Sequence, residues 1–158
     1  MALVEDTRQQ RGKHADKAAY FEQVGEDVVR CALPVGDYQR PAKVAVDTKK
    51  DIVELAVDLK KDHARFAREC EKASVLGTQL VILVENRDGV RSLDDLYKWV
   101  EPAESYAKRN RGGKAVRYKG AAIAKACESM HARYGVLFGF CSPGESGARV
   151  IEILDRLG

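Results

Sequence analysis

Two aspartates and a lysine stand in and just before a strand-like stretch, residues 43–49. Asp37 follows a glycine, and Asp47 and Lys49 come ten and twelve positions later. Side chains alternate faces along a strand, so Asp47 and Lys49 share one face at a spacing of about 6 to 7 Å. Asp37 precedes a turn that contains Pro41, and a hairpin there would carry the chain back so that Asp37 approaches Asp47.

Two facing carboxylates repel each other unless a hard divalent cation lies between them. Mg²⁺ favours such a site, because it binds one or two carboxylates, a backbone carbonyl, waters and the phosphate oxygens of a substrate. Lys49 beside this cation would orient or help to deprotonate a water and would stabilise charge that develops on a phosphate. A second interpretation remains open from the spacing alone: Asp37 is a turn residue, and Asp47 and Lys49 lie on the solvated face of an edge strand.

The elements that must position these residues alternate in type along the chain. Strands are predicted at 2–6, 27–33, 43–49, 79–86 and 136–141, and helices at 14–25, 51–77, 92–100, 120–135 and 145–157. Asp51 and Glu54 form a capping-box-like pair where the third strand gives way to the long helix. The run 79–86 is apolar without alternation, as in a central strand covered on both faces. The sequence therefore predicts an α/β fold with a central mixed sheet flanked by helices.

Length and composition indicate one intracellular domain. The 158 residues are 45% apolar and 32% charged, enough for one sizeable core. The longest aliphatic run, 80–84, is far shorter than the roughly 20 residues of a membrane-spanning helix, and no signal-peptide pattern is recognisable. Four cysteines without a CxxC pair suit a reducing compartment, the cytoplasm.

The net charge of +3 gives no strong overall attraction to nucleic acid, but one segment is strongly basic. Residues 108–119 contain six Lys or Arg, no acid, and Tyr118. Two interpretations are open: a solvated surface loop, or a mobile arm that follows a phosphate backbone. In the second interpretation the DNA contacts are made by Arg111, Lys114, Arg117 and Lys119.

The segment "GDYQRPAKVAVDTKKD" resembles the GD…ERK…D motif of the XPF-type endonuclease domain, a branch of the PD-(D/E)xK nuclease superfamily. Four further segments resemble that family in order and spacing: "VEDTRQ" its first strand, "HARFARECEKA" its arginine-bearing helix, "QLVILVEN" its central strand, and "RYGVLFGFCSPGESGARVIEIL" its closing strand and helix. The resemblance covers nearly the whole chain. It implies a restriction-endonuclease-like core and points to the small stand-alone members found in bacteria and their phages.

The resemblance assigns roles to individual residues. Asp37 and Asp47 would be metal ligands, the backbone carbonyl of Thr48 a third ligand, and Lys49 the catalytic lysine. The chain departs from the family pattern at two of these positions, since Asp47 replaces the more usual Glu and Thr48 the usual Arg. Gln9, likewise, stands where the family often has a Glu.

Three more residues match charged positions of the family. Asp6 would be a metal ligand at the edge of the site, with Arg8 beside it as a contact to nucleic acid, and the alternative is a structural Asp–Arg pair. Arg65 would support the site or contact phosphate, and the alternative is a surface ion pair. No helix-hairpin-helix module follows, so the expected organisation is a single nuclease domain, 1–158, with a basic loop insertion around 87–119.

By this resemblance the chain is expected to be a Mg²⁺-dependent DNA endonuclease, with Mn²⁺ able to substitute. Branched or flap DNA in repair, recombination or phage DNA processing is the expected substrate, in the cytoplasm of a bacterial cell or a phage-infected host. A homodimer through the C-terminal strand and helix and a specificity-providing protein partner are also implied. Two alternatives are a Holliday-junction resolvase and a non-catalytic DNA-binding or scaffolding module of the same fold. Decayed members of that second kind lose the acid or the lysine, whereas this chain keeps both.

Overall fold

The computed structural model of the chain describes residues 2–10, 12–40 and 43–158. Its six strands form one mixed sheet in the order β2-β1-β3-β4-β5-β6. The strands are β1 (Leu3–Asp6), β2 (Val28–Cys31), β3 (Tyr38–Arg40), β4 (Val44–Lys49), β5 (Gln79–Glu85) and β6 (Leu137–Cys141). The helices are α1 (Ala15–Gln23), α2 (Ile52–Lys60), α3 (His63–Val75), α4 (Leu93–Lys98), α5 (Ala103–Arg109), α6 (Gly120–Tyr134) and α7 (Ser146–Leu157).

The predicted fold class is confirmed, since helices cover both faces of the sheet. On one face α2, α3, α4 and α6 bury a cluster that includes Leu55, Phe66 and Ile123. On the other face α1 and α7 bury a second cluster around Phe21 and Val150. β5 is buried almost along its whole length, as its unbroken apolar run predicted. Among the described residues, none of the helices combines the length and apolarity needed to cross a bilayer.

β4 lies inside the sheet, so the edge-strand interpretation is wrong. It pairs antiparallel with β3 and parallel with β5. Val44 and Val46 enter the cluster under α1 and α7, and Ala45 enters the opposite cluster. The alternation predicted from the sequence is therefore present, with both faces covered.

The predicted hairpin exists, but its first strand differs from the prediction. The stretch 27–33 supplies β2, which pairs parallel with β1, and the partner of β4 is the short β3. β3 has three residues, of which one, Tyr38, is buried, so it carries no alternating pattern that sequence reasoning could detect. The turn expected at Pro41 lies outside the described residues.

Two helix predictions need correction. The long helix 51–77 is two helices, because the chain bends at Lys61 and Asp62 between α2 and α3. The side chains at 60–62 are charged and exposed, so no buried contact stabilises a continuous helix there. The bend lets Leu59 and Phe66 enter one cluster. The loop insertion expected around 87–119 contains, besides α4, a second short helix, α5, which has no buried residue and hence no recognisable apolar period.

Candidate active site

The hairpin β3–β4 places Asp37 beside the C-terminal half of β4. Gly36 makes this approach possible, because its φ of +75° lies in the left-handed region and a Cβ there would stand 3.0 Å from the Cβ of Ala45. The Asp37 amide then donates to the carbonyl of Val46 at 2.7 Å. The glycine before the aspartate is thus a geometric requirement of the hairpin.

Thr48 holds the Asp37 side chain in place. Oδ2 of Asp37 accepts hydrogen bonds from the Thr48 amide at 2.7 Å and from the Thr48 hydroxyl at 3.0 Å. A threonine thus fixes the half-buried carboxylate at the position where the XPF-type motif has arginine. The predicted role of the Thr48 carbonyl as a metal ligand remains a prediction.

Lys49 lies between two buried carboxylates. Its Nζ is 2.9 Å from Oδ2 of Asp47 and 2.7 Å from Oδ2 of Asp58. The exposed fractions of Asp47, Lys49 and Asp58 are 7%, 6% and 4%. The ammonium also lies 5.8 Å from the ring centroid of Phe66, within the range of a cation–π contact. Asp47 and Lys49, predicted from β4, are therefore joined by an acid from α2.

Sequence reasoning missed Asp58, although a signal was present. Asp58 shares the helical spacing of Leu55 and Leu59, which marks the buried stripe of α2. An acid within a buried helical stripe needs a cationic partner. Lys49, on the strand that precedes α2, is one such partner of Asp58, and Arg65 is another.

The electrostatics of the centre follow from its burial. Desolvation raises the pKa of the Asp47 carboxyl to about 7, a rise that Lys49 opposes and the neighbouring Asp37 increases. For Lys49, burial alone would lower the pKa of the ammonium, but Asp47 and Asp58 outweigh it and raise that pKa above its usual value. Lys49 is therefore a fixed positive charge at neutral pH.

α3 contributes two charged residues to this region. Nη2 of Arg65 donates to Oδ1 of Asp58 at 2.8 Å, so the predicted Arg65 supports the centre through Asp58. Glu69, which sequence reasoning missed, is partly buried. Burial, followed by the charge of Asp47, raises the pKa of its carboxyl. Its Oε1 lies 3.5 Å from the amide of Gly36, a long and weak contact.

Asp6 and Arg8 form an ion pair with each other. Asp6 is buried, and its second oxygen accepts a hydrogen bond from the Leu33 amide at 3.2 Å. Nη2 of Arg8 donates to the Leu33 carbonyl at 2.8 Å. Both oxygens of Asp6 are thus used within the chain, which agrees with the structural alternative. Its role as a metal ligand and the DNA contact of Arg8 remain predictions.

A cleft of about 520 Å³ opens over the centre. Asp37, Asp47, Thr48 and Lys49 line one side of it. The opposite side comes from the segment before α1 and includes Lys13 and His14, and the first turn of α2 adds Lys50 and Glu54. Burial, and then the charge of Lys17, lowers the pKa of the His14 imidazole. A phosphate in this cleft would therefore reach both the acids and the lysines.

The capping-box prediction at the start of α2 is confirmed. Oδ1 of Asp51 accepts from the Glu54 amide at 2.7 Å. Oε2 of Glu54 accepts a hydrogen bond from the amide of Lys50 at 2.8 Å, whereas in a standard capping box it would accept from the amide of Asp51. These bonds fix the turn that leads directly from Lys49 into α2.

The donor set suits a magnesium ion. Asp37 uses Oδ2 for Thr48 and Asp47 uses Oδ2 for Lys49, so each keeps a second oxygen outside these contacts. Within residues 2–10, 12–40 and 43–158, no group of three or more His, Cys, Asp or Glu side chains is arranged to hold a metal ion. Mg²⁺ does not require one, since it commonly binds one or two carboxylates together with water and substrate phosphate. Burial, and after it the charge of Asp37, raises the pKa of Asp47, and a cation bound between the two carboxylates would oppose both effects.

The basic segment lies apart from this cleft and is more ordered than an arm. Arg111, Lys114, Arg117 and Lys119 are all exposed, and none of them lines the cleft at Asp37 and Asp47. Glu101, fully buried, accepts hydrogen bonds from both Nε and Nη2 of Arg109, at 2.7 and 2.6 Å, and one from the Tyr118 amide at 3.0 Å. The segment is thus folded around one buried carboxylate.

Comparison with known proteins addresses the fold. No protein-family model matches the sequence, and no curated protein sequence matches it. Two solved structures of XPF from Aeropyrum pernix match it, one of them a complex with DNA. They superpose with TM-scores of 0.65 for the complex and 0.66 for the other, at 21% sequence identity and over 99% of this chain. The chain has an XPF-like fold.

The XPF-like fold agrees with the resemblance found in the sequence motifs. The comparison spans 64% of the length of the Aeropyrum pernix chains, so a third of each of those chains has no counterpart here. At this identity the likeness concerns the arrangement of strands and helices. The chemistry of the site depends on the residues described above.

Proposed function

We propose that the chain is a Mg²⁺-dependent DNA endonuclease that hydrolyses phosphodiester bonds. The observation that carries the proposal is the constellation of Asp37, Asp47 and Lys49 in one open cleft. Asp37 directly precedes β3, Asp47 lies on its hairpin partner β4, and the lysine is held as a cation beside them. The XPF-like fold supports a role in DNA binding or DNA cleavage.

Each residue of the centre has a distinct task in this proposal. Asp37 and Asp47 would hold the cation, which supplies neutralisation of the phosphodiester and a more acidic bound water. Thr48 keeps Asp37 in position through two hydrogen bonds. Lys49, whose raised pKa keeps it protonated, orients the attacking oxygen and stabilises charge on the phosphate rather than accepting a proton.

Asp58 is the positioning residue for Lys49 in this scheme. A long flexible ammonium side chain would otherwise sample several rotamers, and two carboxylates on opposite sides restrict it. Arg65 in turn restricts Asp58. The lysine is therefore organised before a substrate arrives, which lowers the reorganisation needed in the transition state.

The first prediction is that Asp47→Asn abolishes Mg²⁺-dependent cleavage while DNA binding persists. The asparagine keeps the shape of the side chain but removes the negative charge needed for the cation. Cleavage is measured with Mg²⁺, with Mn²⁺ and with chelator, and binding with chelator only. Asp27→Asn is the matched control, because Asp27 is exposed and directly precedes the edge strand β2, which is not adjacent to β3 or β4.

Retained cleavage by a purified Asp47→Asn protein would refute the assignment. Loss of cleavage in Asp27→Asn as well would point to a general effect of the substitution. A substrate panel of flap, fork, four-way junction and linear duplex then separates a flap or fork nuclease from a junction resolvase. Absence of cleavage on every member, with binding intact, would favour the non-catalytic scaffolding alternative.

A further inference from the structure

A second groove, here called the basic groove, lies at the far end of α2 and has a volume of about 530 Å³. Two parts of the chain that are distant in sequence form it: the end of α2 and the segment leading into α6. Its cationic wall consists of Lys60, Lys61, Arg109, Lys114, Arg117 and Lys119. Its floor consists of Ala115, Val116, Tyr118, Ala122 and Ile123.

Most charges of the basic groove have no acidic partner within the described part of the chain; the exception is Arg109, which pairs with the buried Glu101. No acidic side chain lines it there. Lys60, Lys61, Lys114 and Lys119 are all exposed and make no side-chain hydrogen bond or ion pair to the described residues. The carbonyl end of α2 offsets part of the charge of Lys60 and Lys61 but does not reach the other wall. A polyanion is the ligand that such a surface favours.

The groove is held open by the contacts of Glu101. This buried carboxylate engages Arg109, whose guanidinium lies 4.3 Å from the ring centroid of Tyr118. Nε of Arg117 donates to the Glu101 carbonyl at 2.9 Å. These contacts orient the wall and the floor together, so a ligand would meet a preformed surface rather than order a loose one.

The floor distinguishes between kinds of nucleic acid. Val116 is 75% exposed although it is apolar, and cationic side chains surround it. A duplex presents phosphates and sugars on its outside, and its bases are stacked within. An unpaired strand presents both phosphates and apolar base faces, which suit a groove with a cationic wall and an apolar floor.

The basic groove is also continuous with the active-site cleft. Lys50 lines that cleft and the depression between α2 and α5, and Arg109 lines the same depression and the basic groove. The nine residues of α2 span about 14 Å at 1.5 Å per residue. An extended strand of two or three nucleotides covers that distance.

We propose that the basic groove binds an unpaired nucleic-acid strand next to the site of cleavage. The part of this proposal that gives the groove the unpaired strand of a branched substrate rests on the proposed nuclease function. Strand binding by the groove itself is tested without cleavage. It also assigns a contact role to Lys60 and Lys61, which lie outside the basic stretch of the sequence.

The test is fluorescence anisotropy with a labelled 12-nucleotide single strand and a duplex of equal length, in chelator and over a salt series. The variant is Lys60→Gln with Lys61→Gln. Lys72→Gln with Lys98→Gln is the matched control, since both of these lysines are exposed and neither lines the groove. We expect single-strand affinity to fall about tenfold and the salt slope to drop by about 1.4 in the variant, with the control unchanged.

A second variant, Val116→Ser, removes the apolar contact without a change of charge. We expect it to weaken single-strand binding and to leave the salt slope as it is. Single-strand affinity that stays at the wild-type level in both variants would overturn the proposal, as would an equal loss for duplex and single strand. Because these measurements need no cation, a failure of the nuclease assignment would appear only in the cleavage test of Asp47→Asn.

Discussion

At the scale of single residues, the centre is a chain of charges that alternate in sign, buried from Asp47 to Asp58 and exposed at Arg65. Asp47, Lys49, Asp58 and Arg65 follow one another within ion-pair distance. Removing one member of such a chain leaves a neighbour charged and poorly solvated, which costs more than the pair contributes. Asp47 lies at the end of this chain where Asp37 adds a second negative charge. After burial, this charge is what raises the pKa of Asp47.

The second prediction follows from the carboxyl group of Asp47. Burial and Asp37 raise its pKa from 3.8 to about 7, so between these pH values the folded protein holds more protons than the unfolded chain. The contribution of Asp47 to stability is therefore lost as pH rises from about 4 to 7. We expect the free energy of unfolding of Asp47→Asn, minus that of wild type, to rise with pH across this window by up to about 1.4 kcal/mol per pH unit.

Urea denaturation in chelator at several pH values measures this difference. Asp27→Asn serves again as the control, since its exposed side chain is expected to give a small, flat difference. A difference between Asp47→Asn and wild type that does not change with pH would show that Asp47 ionises normally in the folded protein.

Sequence reasoning found the residues of the centre that have a motif. Asp37, Asp47 and Lys49 stand at fixed spacing around one strand, and the structure brings them together. Asp58 and Glu69 have no such motif, because their proximity to the centre depends on how α2 and α3 pack on the sheet. Packing of this kind is decided by tertiary contacts, which a local pattern does not contain.

At the scale of elements, the segment 101–119 is organised by Glu101 rather than by an apolar core. α5 buries none of its residues, yet Arg109 at its end is fixed by two hydrogen bonds to Glu101. Burial alone would raise the pKa of Glu101, but Arg109 and the Tyr118 amide outweigh it and lower that pKa. The sequence predicts a loop here because the contact that stabilises the segment is one buried acid, which leaves no apolar pattern.

The third prediction is that Glu101→Gln loosens this segment. The amide keeps the size of the side chain but leaves Arg109 without its counter-charge, at a cost of roughly 3 kcal/mol. We expect faster hydrogen exchange of the amides of residues 103–119 and a lower denaturation midpoint. Glu104→Gln is the matched control, since its pair with Lys108 is exposed at 3.5 Å and is expected to contribute little.

Exchange of residues 103–119 at the wild-type rate in Glu101→Gln would show that other contacts hold the segment. A loss of the same size in Glu104→Gln would show that helix α5, rather than the buried acid, is the sensitive part. Either result would also remove the reason for regarding the basic groove as preformed.

At the scale of the whole molecule, the two hydrophobic clusters share strands. Val44 and Val46 face one cluster while Ala45 faces the other, and Leu83 and Ile82 do the same on β5. Both clusters include residues of β4 and β5, so disruption of one cluster would expose the other. The single domain 1–158 and the homodimer through the C-terminal strand and helix remain predictions.

The fourth prediction is therefore one cooperative unfolding transition. Trp99, the single tryptophan, is buried in the cluster under α4 and α6, whereas far-ultraviolet circular dichroism reports all helices and strands. We expect both signals to change at the same urea concentration. A tryptophan transition at lower urea than the dichroism transition would separate the two faces into independent units.

The acids and the lysine of the centre all come from one stretch, residues 37–58, in which a hairpin leads directly into a helix. Closing such short loops costs little chain entropy compared with joining distant segments. The residues of the proposed catalytic centre are thus close together in sequence, and the rest of the chain covers them. Rearrangements that open the chain elsewhere, such as new termini at Gly112 or Gly113, would leave the connectivity of this stretch unbroken.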